Sequence, residues 1–342
     1  MLERSKRVRK ISYRDLPEIP SPLEGEGREG GNVGTMFQNE HRERQMTAIK
    51  NLGFVGIGLM GEAMVLRLRD KGWPVTAWNL TPDRYQRIAP AGARIAASPA
   101  EVAAASDIVL LCVLDAAAVE NCCFGAEGQG LAAAAGQAKI VVDHSTINPD
   151  ATRDIAARLR QRNGMRWIDA PVSGGPGAAR DGSMTVMAGG DATDIAAIRP
   201  LMQDMAGRFT HVGALGAGQT AKIINQAIVG TGYVLMAEAL ALAEAAGLDA
   251  AKLPDCLAGG FADSALLQKI YPQMCARAFD PPRSYARQLA KDLKNVRHFI
   301  AERGCALPVV EAAVAQYTRY VAGGHEMADS ASVARLYEPR RG

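Results

Sequence analysis

The sequence predicts an α/β protein: a doubly wound parallel sheet, then an all-α C-terminal domain, joined by one long interdomain helix. Three observations predict it. Short apolar runs alternate with helical patterns from Met46 to about Gly213. Several of those runs are continuous rather than alternating, as for strands covered on both faces. Beyond Gly213 the strand signals stop and only helical patterns follow.

Leu52–Ile57 reads as the first strand, followed by glycines and a helical pattern over Met60–Asp70. Val75–Trp78 is a second strand and Pro82–Ile88 a short helix. Ile108–Val113 and Ile140–Asp143 are apolar throughout their length except for the terminal Asp143. Trp167–Ala170 and Met184–Ala188 continue the strands, and Ala192–Met205 is helical. Strand–helix repetition of this kind implies right-handed crossovers. Lys222–Ala246 then reads as one helix with no charge between Lys222 and Glu238. Asn225, Gln226, Gly230 and Gly232 interrupt it too often for a membrane span, so burial between domains or subunits is expected. Leu253–Leu257, Ser264–Ile270, Arg287–Arg303 and Pro308–Val321 complete the helical half. The expected division is 1–45 as a disordered extension, 46–214 as the sheet domain and 215–342 as the helical domain.

Composition narrows the function. The chain has 342 residues, with 39 basic and 36 acidic side chains, so its near balance offers no general grip on nucleic acid or membrane. Its five histidines have no metal-ligand spacing, and no metal site is expected. The six cysteines form no CxxC pair, and no signal peptide is evident; both features predict reduced thiols in the cytoplasm. Residues 1–45 carry nine basic and eight acidic side chains and no apolar period, a composition of disorder, and Met46 is the expected true start.

Gly56-Ile57-Gly58-Leu59-Met60-Gly61 fits the G-x-G-x-x-G fingerprint, and here it follows a strand and opens a helix. The first glycine permits a tight turn, the second lets a pyrophosphate approach the backbone, and the third lets helix meet strand. An acid at the end of the second strand would hold the ribose diol of NAD, but Asn79-Leu80-Thr81 stands there instead. Nothing there repels a 2′-phosphate, and Thr81 and Arg84 offer it partners. NADP is therefore the expected cofactor, with NAD as the alternative.

Two segments could place a substrate. Ser173-Gly174-Gly175, after a strand, leaves main-chain N–H groups free to form an anion nest, and Ser173 adds a hydroxyl; a plain tight turn is the alternative. Lys222, Asn225 and Gln226 stand at i, i+3 and i+4 on one helix face. Burying an ammonium and two amides is costly without purpose. Lys222 could protonate a carbonyl oxygen as hydride arrives at carbon; a solvent-facing lysine at a helix start is the alternative.

GFVGIGLMGEAM, DAPVSGGPGAARDGSMTVMAGG, GAGQTAKIINQ and AKDL at Ala290–Leu293 together resemble, in order, four motifs of the β-hydroxyacid dehydrogenases. That family includes 3-hydroxyisobutyrate dehydrogenase and tartronate semialdehyde reductase, and the resemblance runs from about Asn51 to Val321. It implies a Rossmann domain plus a helical domain, a site between them, and a homodimer or homotetramer paired through the helices. Lys222 is then the acid/base, with Asn225 orienting the substrate. Ser173, Gly174, Gly175 and Gln226 bind the substrate; Lys291 lies near the nicotinamide ribose with Asp292 beside it; Val113, Leu114, Asp115 and Thr146 line the dinucleotide. Departures from the pattern are Leu80 where NADP-using members often carry Arg, Gln226 where many carry Asn, and Ser284 where Phe is frequent. The implied activity interconverts a small 3-hydroxy acid and its semialdehyde: tartronate semialdehyde and glycerate first, methylmalonate semialdehyde and 3-hydroxyisobutyrate second. Rival readings are an imine or larger-aldehyde reductase, which Lys222 opposes, and a non-catalytic dinucleotide sensor, which needs neither Ser173 nor Lys222.

Overall fold

The computed structural model describes residues 49–125, 128–134 and 140–338; the expectation for residues 1–45 lies outside them. Strand β1 (Leu52–Val55) leads into helix α1 (Leu59–Asp70), then β2 (Val75–Trp78), β3 (Arg94–Ile95), α2 (Pro99–Ala104), β4 (Ile108–Leu111), α3 (Ala116–Phe124) and β5 (Ile140–Asp143). Next come α4 (Pro149–Asn163), β6 (Arg166–Asp169), β7 (Val172–Ser173), α5 (Gly175–Asp181), β8 (Met184–Gly189), α6 (Ala192–Met205) and β9 (Ala206–Gly213). The helical half holds α7 (Ala217–Ala245), α8 (Leu253–Leu257), α9 (Ala265–Lys269), α10 (Tyr271–Cys275), α11 (Ala286–Glu302) and α12 (Pro308–Tyr320).

The sheet runs β3-β2-β1-β4-β5-β6-β8-β7, with β9 beside β8. Every pair from β3 to β6 is parallel, so the doubly wound reading stands; β8 runs antiparallel to β6 and β7 and closes that side of the sheet. Chain direction along the sheet reverses between β1 and β4, and this switch point opens a crevice at the carboxyl ends of the strands. Strands β1, β4 and β5 are buried along their whole length, and two apolar layers flank the sheet. One layer includes Leu52, Phe54, Met64 and Leu110, the other Val55, Val109, Leu111 and Ile155. This explains why those strands lack alternation.

Differences from the sequence expectation have local causes. The first strand stops at Val55, where Gly56 turns the backbone with φ of +100°, and the fourth at Leu111, beyond which Val113 N–H bonds Ser145 Oγ instead of a strand. β3, β7 and β9 carry too weak an apolar pattern to stand out; β9 is mostly exposed. The long helix begins at Ala217, five residues before Lys222. It is long and apolar enough to cross a membrane by length and composition alone. Its inner face packs into the helical core instead: Gly230 abuts Leu293, and Val234, Ala237 and Leu240 join Tyr271, Tyr317 and Leu293. The opposite face is uncovered in the single chain. Ile224, Ile228, Leu235 and Leu242 form one stripe that is 55–71% exposed.

Candidate functional site

The glycine loop closes because its side-chain-free positions are needed. Gly56 has φ of +100°, and a Cβ there would lie 2.2 Å from the carbonyl oxygen of Cys112. A Cβ on Gly61 would lie 1.9 Å from the carbonyl of Gly56, so only glycine lets α1 meet β1. Gly58, in contrast, faces open space with nothing within 4 Å. It is the N-cap of α1, where no side chain caps the first-turn N–H groups. Open space before an uncapped helix start is what a dinucleotide pyrophosphate fits, and the loop suits that group.

Asn79 is tied into this loop. Its Oδ1 accepts from the Ile57 N–H at 2.7 Å, and its Nδ2 donates to Thr81 O at 3.0 Å and Thr81 Oγ1 at 2.9 Å. The amide therefore shapes the end of β2 and holds Thr81 beside it. No ion pair engages Arg84 among the described residues. At the next loop Val113 N–H donates to Ser145 Oγ at 3.0 Å. The carboxylate of Asp115 caps α3 through Ala118 N–H at 2.9 Å, so its side chain is engaged at the helix start.

Ser173 ends β7 opposite Thr185 of β8. Gly174 and Gly175 follow with φ of +125° and +73°, conformations that favour glycine. The Ser173 hydroxyl makes no hydrogen bond among the described residues. No bond links this loop to Lys222; the two flank β8, whose Met187 carbonyl touches Gly218 in the first turn of α7.

The start of α7 is held from outside. Gly216, its N-cap, has no side chain to offer, and the carboxylate of Asp169 at the end of β6 does the work. Asp169 accepts from Gly216 N–H and from Gln219 N–H, each at 2.8 Å. Gln219 in turn donates to Ser145 O at 2.8 Å and accepts from Ile147 N–H at 3.2 Å. One turn further on stands Lys222, 7% exposed, with no hydrogen bond or ion pair to its ammonium among the described residues. Burial pulls its pKa down to about 8, against the opposing pull of Asp292.

Around Lys222 a polar chain joins α7 to α11. Asn225 Nδ2 donates to Gln226 Oε1 at 2.7 Å, and Gln226 Nε2 donates to Asp292 Oδ2 at 2.7 Å. Asp292 Oδ1 lies 2.9 Å from Lys291 Nζ, which also donates to Leu114 O at 2.8 Å and Thr146 O at 3.0 Å. The structure thus brings Lys222, Asn225, Gln226, Lys291, Leu114 and Thr146 together. Gln226 spends its amide on Asn225 and Asp292. Thr81 and Arg84 follow β2, two strands from β4 and four from β6 in the sheet order. Ser284 turns its hydroxyl to Ser330 Oγ at 2.9 Å.

The roles of Asp169 and Gln219 escaped the sequence reading. Their signal was a long helix opening on glycines with no Ser, Thr, Asp or Asn of its own at the cap. Behind them lies Asp143, fully buried at the end of β5, with Oδ1 accepting from Ser145 N–H at 2.9 Å and Oδ2 without a partner. Burial pushes its pKa up from 3.8 to about 7, and the Asp169 carboxyl up to about 6.

Comparison with known proteins agrees with this geometry. Residues 51–213 match the NAD binding domain of 6-phosphogluconate dehydrogenase. Residues 216–337 match the NAD-binding segment of NADP-dependent 3-hydroxyisobutyrate dehydrogenase. The chain is 36% identical to the 2-hydroxy-3-oxopropionate reductase of Escherichia coli over 67% of its own length and 77% of that protein. It is 32% identical to the L-threonate dehydrogenase of Cupriavidus necator over 84% and 96% of the two chains. The structure of Mycobacterium tuberculosis 3-hydroxyisobutyrate dehydrogenase with L-serine superposes with a TM-score of 0.75 at 28% identity, covering 85% of this chain and 100% of that one.

Two expectations follow. Gly58→Ala, placed in open space, leaves the thermal midpoint within about 2 °C of wild type yet weakens NADPH and NADH binding roughly tenfold, by fluorescence titration; Gly61→Ala, aimed at backbone, unfolds the loop. The second concerns Asp143. Its carboxyl is more basic folded than unfolded, so its stabilising share is complete below about pH 4 and is lost as pH climbs through about 7. Asp143→Asn should therefore gain on wild type in urea midpoint between about pH 5 and about pH 8; a flat difference would detach Asp143 from the pH dependence.

Proposed function

The chain belongs to the β-hydroxyacid dehydrogenase family, and on that premise we propose that it interconverts a small 3-hydroxy acid and its semialdehyde, with Lys222 as proton donor and acceptor. It is an oxidoreductase with a nicotinamide-dinucleotide-binding domain. The observation that carries the reading is the buried ammonium of Lys222, without a hydrogen-bond partner among the described residues, on a helix clamped at its start by Asp169.

When bound, the dinucleotide supplies or takes up the hydride. Lys222 protonates the carbonyl oxygen during reduction and stabilises the developing alkoxide; during oxidation its neutral amine takes the hydroxyl proton. The N–H groups of Gly174 and Gly175, with the Ser173 hydroxyl, hold the carboxylate. Asn225, steadied by Gln226, orients the oxygen that reacts. Lys291, bonded to Leu114 O and Thr146 O, holds the helical half against the loops that take the nicotinamide end.

Tartronate semialdehyde and glycerate are the first substrate pair, supported by the relative acting on 2-hydroxy-3-oxopropionate. Methylmalonate semialdehyde and 3-hydroxyisobutyrate are the second, supported by the M. tuberculosis structure. NADP is the preferred cofactor, on the evidence of Thr81, Arg84 and the missing acid after β2. The exposed stripe Ile224, Ile228, Leu235 and Leu242 supports pairing of copies through α7 as a homodimer or homotetramer.

Lys222→Ala should lower turnover about 10²–10⁴-fold while leaving NADPH affinity unchanged; unaltered turnover removes Lys222 from this role. Oxidation needs the neutral amine, so its rate climbs with pH through about 8, whereas reduction falls off above the same value. A panel of short semialdehydes run with NADPH and NADH checks the rest: NADH outperforming NADPH about tenfold would overturn the assignment of Thr81 and Arg84.

A further inference from the structure

The segment after β5 is bonded on one side to the loop after β4 and on the other to the lysine helix. Ser145 Oγ accepts from Val113 N–H at 3.0 Å, and Ser145 N–H donates to Asp143 Oδ1 at 2.9 Å. The Ser145 carbonyl accepts from Gln219 Nε2 at 2.8 Å, while Gln219 Oε1 accepts from Ile147 N–H at 3.2 Å. One amide thus grips the segment at two points, 74 and 72 positions away in sequence. Gln219 is 0% exposed, so water does not compete for either bond.

The main chain of Gln219 is fixed as well, its N–H taken by Asp169 Oδ2 at 2.8 Å. A Cβ on the adjacent Gly218 would lie 2.4 Å from Met187 O and 2.5 Å from Asp169 O, so this turn is pressed against β6 and β8. Gln219, Lys222 and Gln226 stand at i, i+3 and i+7 of α7, so they share one face, and all three are buried. Among the described residues no other side chain of α7 bonds segment 145–147. Lys291 ties α11 to Leu114 O and Thr146 O, but it reaches α7 only through Asp292 and Gln226, one turn beyond Lys222. The first turn hangs on Gln219.

We propose that Gln219 is a positioning residue that carries the state of the dinucleotide loop to Lys222. With the 113–115 loop held by a bound dinucleotide, Ser145 and Gln219 fix the first turn of α7 and, with it, the lysine. This rests on the reading that the 113–115 loop lines the dinucleotide and that Lys222 moves the proton, and it deepens that reading. The amide suits the task because it must donate and accept at once. A glutamate would keep the acceptor for Ile147 and lose the donor to Ser145 O, and a hydrocarbon would lose both.

The test reads the helix start, not turnover. Amide hydrogen exchange over residues 214–224 is followed by mass spectrometry without NADPH and with NADPH raised to saturation, in wild type, Gln219→Met, Ser145→Ala and Thr220→Val. In wild type NADPH should slow this exchange about threefold or more. Gln219→Met, which removes the tie to Ser145, should still bind NADPH yet lose the slowing. Ser145→Ala cuts the link at its other end, the bond from Val113 N–H, and should lose the slowing too. Thr220→Val removes only the bond from Thr220 Oγ1 to Gly216 O in the same turn, so the slowing should remain. Slowing absent from NADPH-bound wild type, retained in Gln219→Met or in Ser145→Ala, or lost equally in Thr220→Val, overturns the proposal. Should Gln219→Met not fold, Ser145→Ala decides by itself. If the expected pattern appears while wild type turns over no hydroxy acid, the functional reading fails and the link stands. If Lys222→Ala abolishes turnover while Gln219→Met keeps the slowing, the link fails and the functional reading stands.

Discussion

The site depends on one carboxylate whose two oxygens are both taken up by a helix start. Asp169 leaves the end of β6 and binds two N–H groups at the first turn of α7, a helix that starts on glycine and cannot cap itself. A helix start is a poor place to leave donors bare, and a charged acceptor there also meets the positive end of the helix dipole. Lys222 lies one turn downstream, at a rise of about 1.5 Å per residue, so an error in the cap would pass directly to its amine. Gln219, stitched to Ser145 and Ile147, fixes the rotation of the same turn.

Around that anchor the protein tolerates several unfavourable burials. Asp143, Asp169 and Lys222 are all buried against their charged forms, and Asp143 Oδ2 and His144 Nε2 have no hydrogen-bond partner among the described residues. Groups perturbed in this way cluster where strand ends and helix starts converge, which is also where proton transfer needs pKa values near neutrality. Stability is spent here and recovered in the two apolar layers of the sheet and in the aromatic core around Tyr271, Tyr317 and Tyr320.

Much of this was legible in the residues. Period and continuity marked β1, β4 and β5 because they are buried on both faces, and the glycine fingerprint located the dinucleotide loop because steric demands at Gly56 and Gly61 admit nothing else. Lys222 and its amide neighbours stood out as polar groups on an apolar helix. The hidden parts were those that depend on long-range pairing. Asp169 and Gln219 are separated by 50 residues, and Gln226 and Asp292 by 66, so no local pattern ties them. Asn79 and Gln226 brace their surroundings through bonds to Ile57 and Thr81 and to Asn225 and Asp292, and an amide can satisfy a loop as readily as a substrate.

The trans-supplied cap also bears on modularity. The helical half looks like a cassette that could be exchanged among relatives with different substrate ranges, yet its leading helix borrows its terminal acceptor from the other half. A graft made at residues 214–216 would carry Lys222 into a scaffold whose own acid need not fall in register with the new first turn. Recombination within this architecture should therefore succeed only where the crossover keeps strand end and helix start from the same parent.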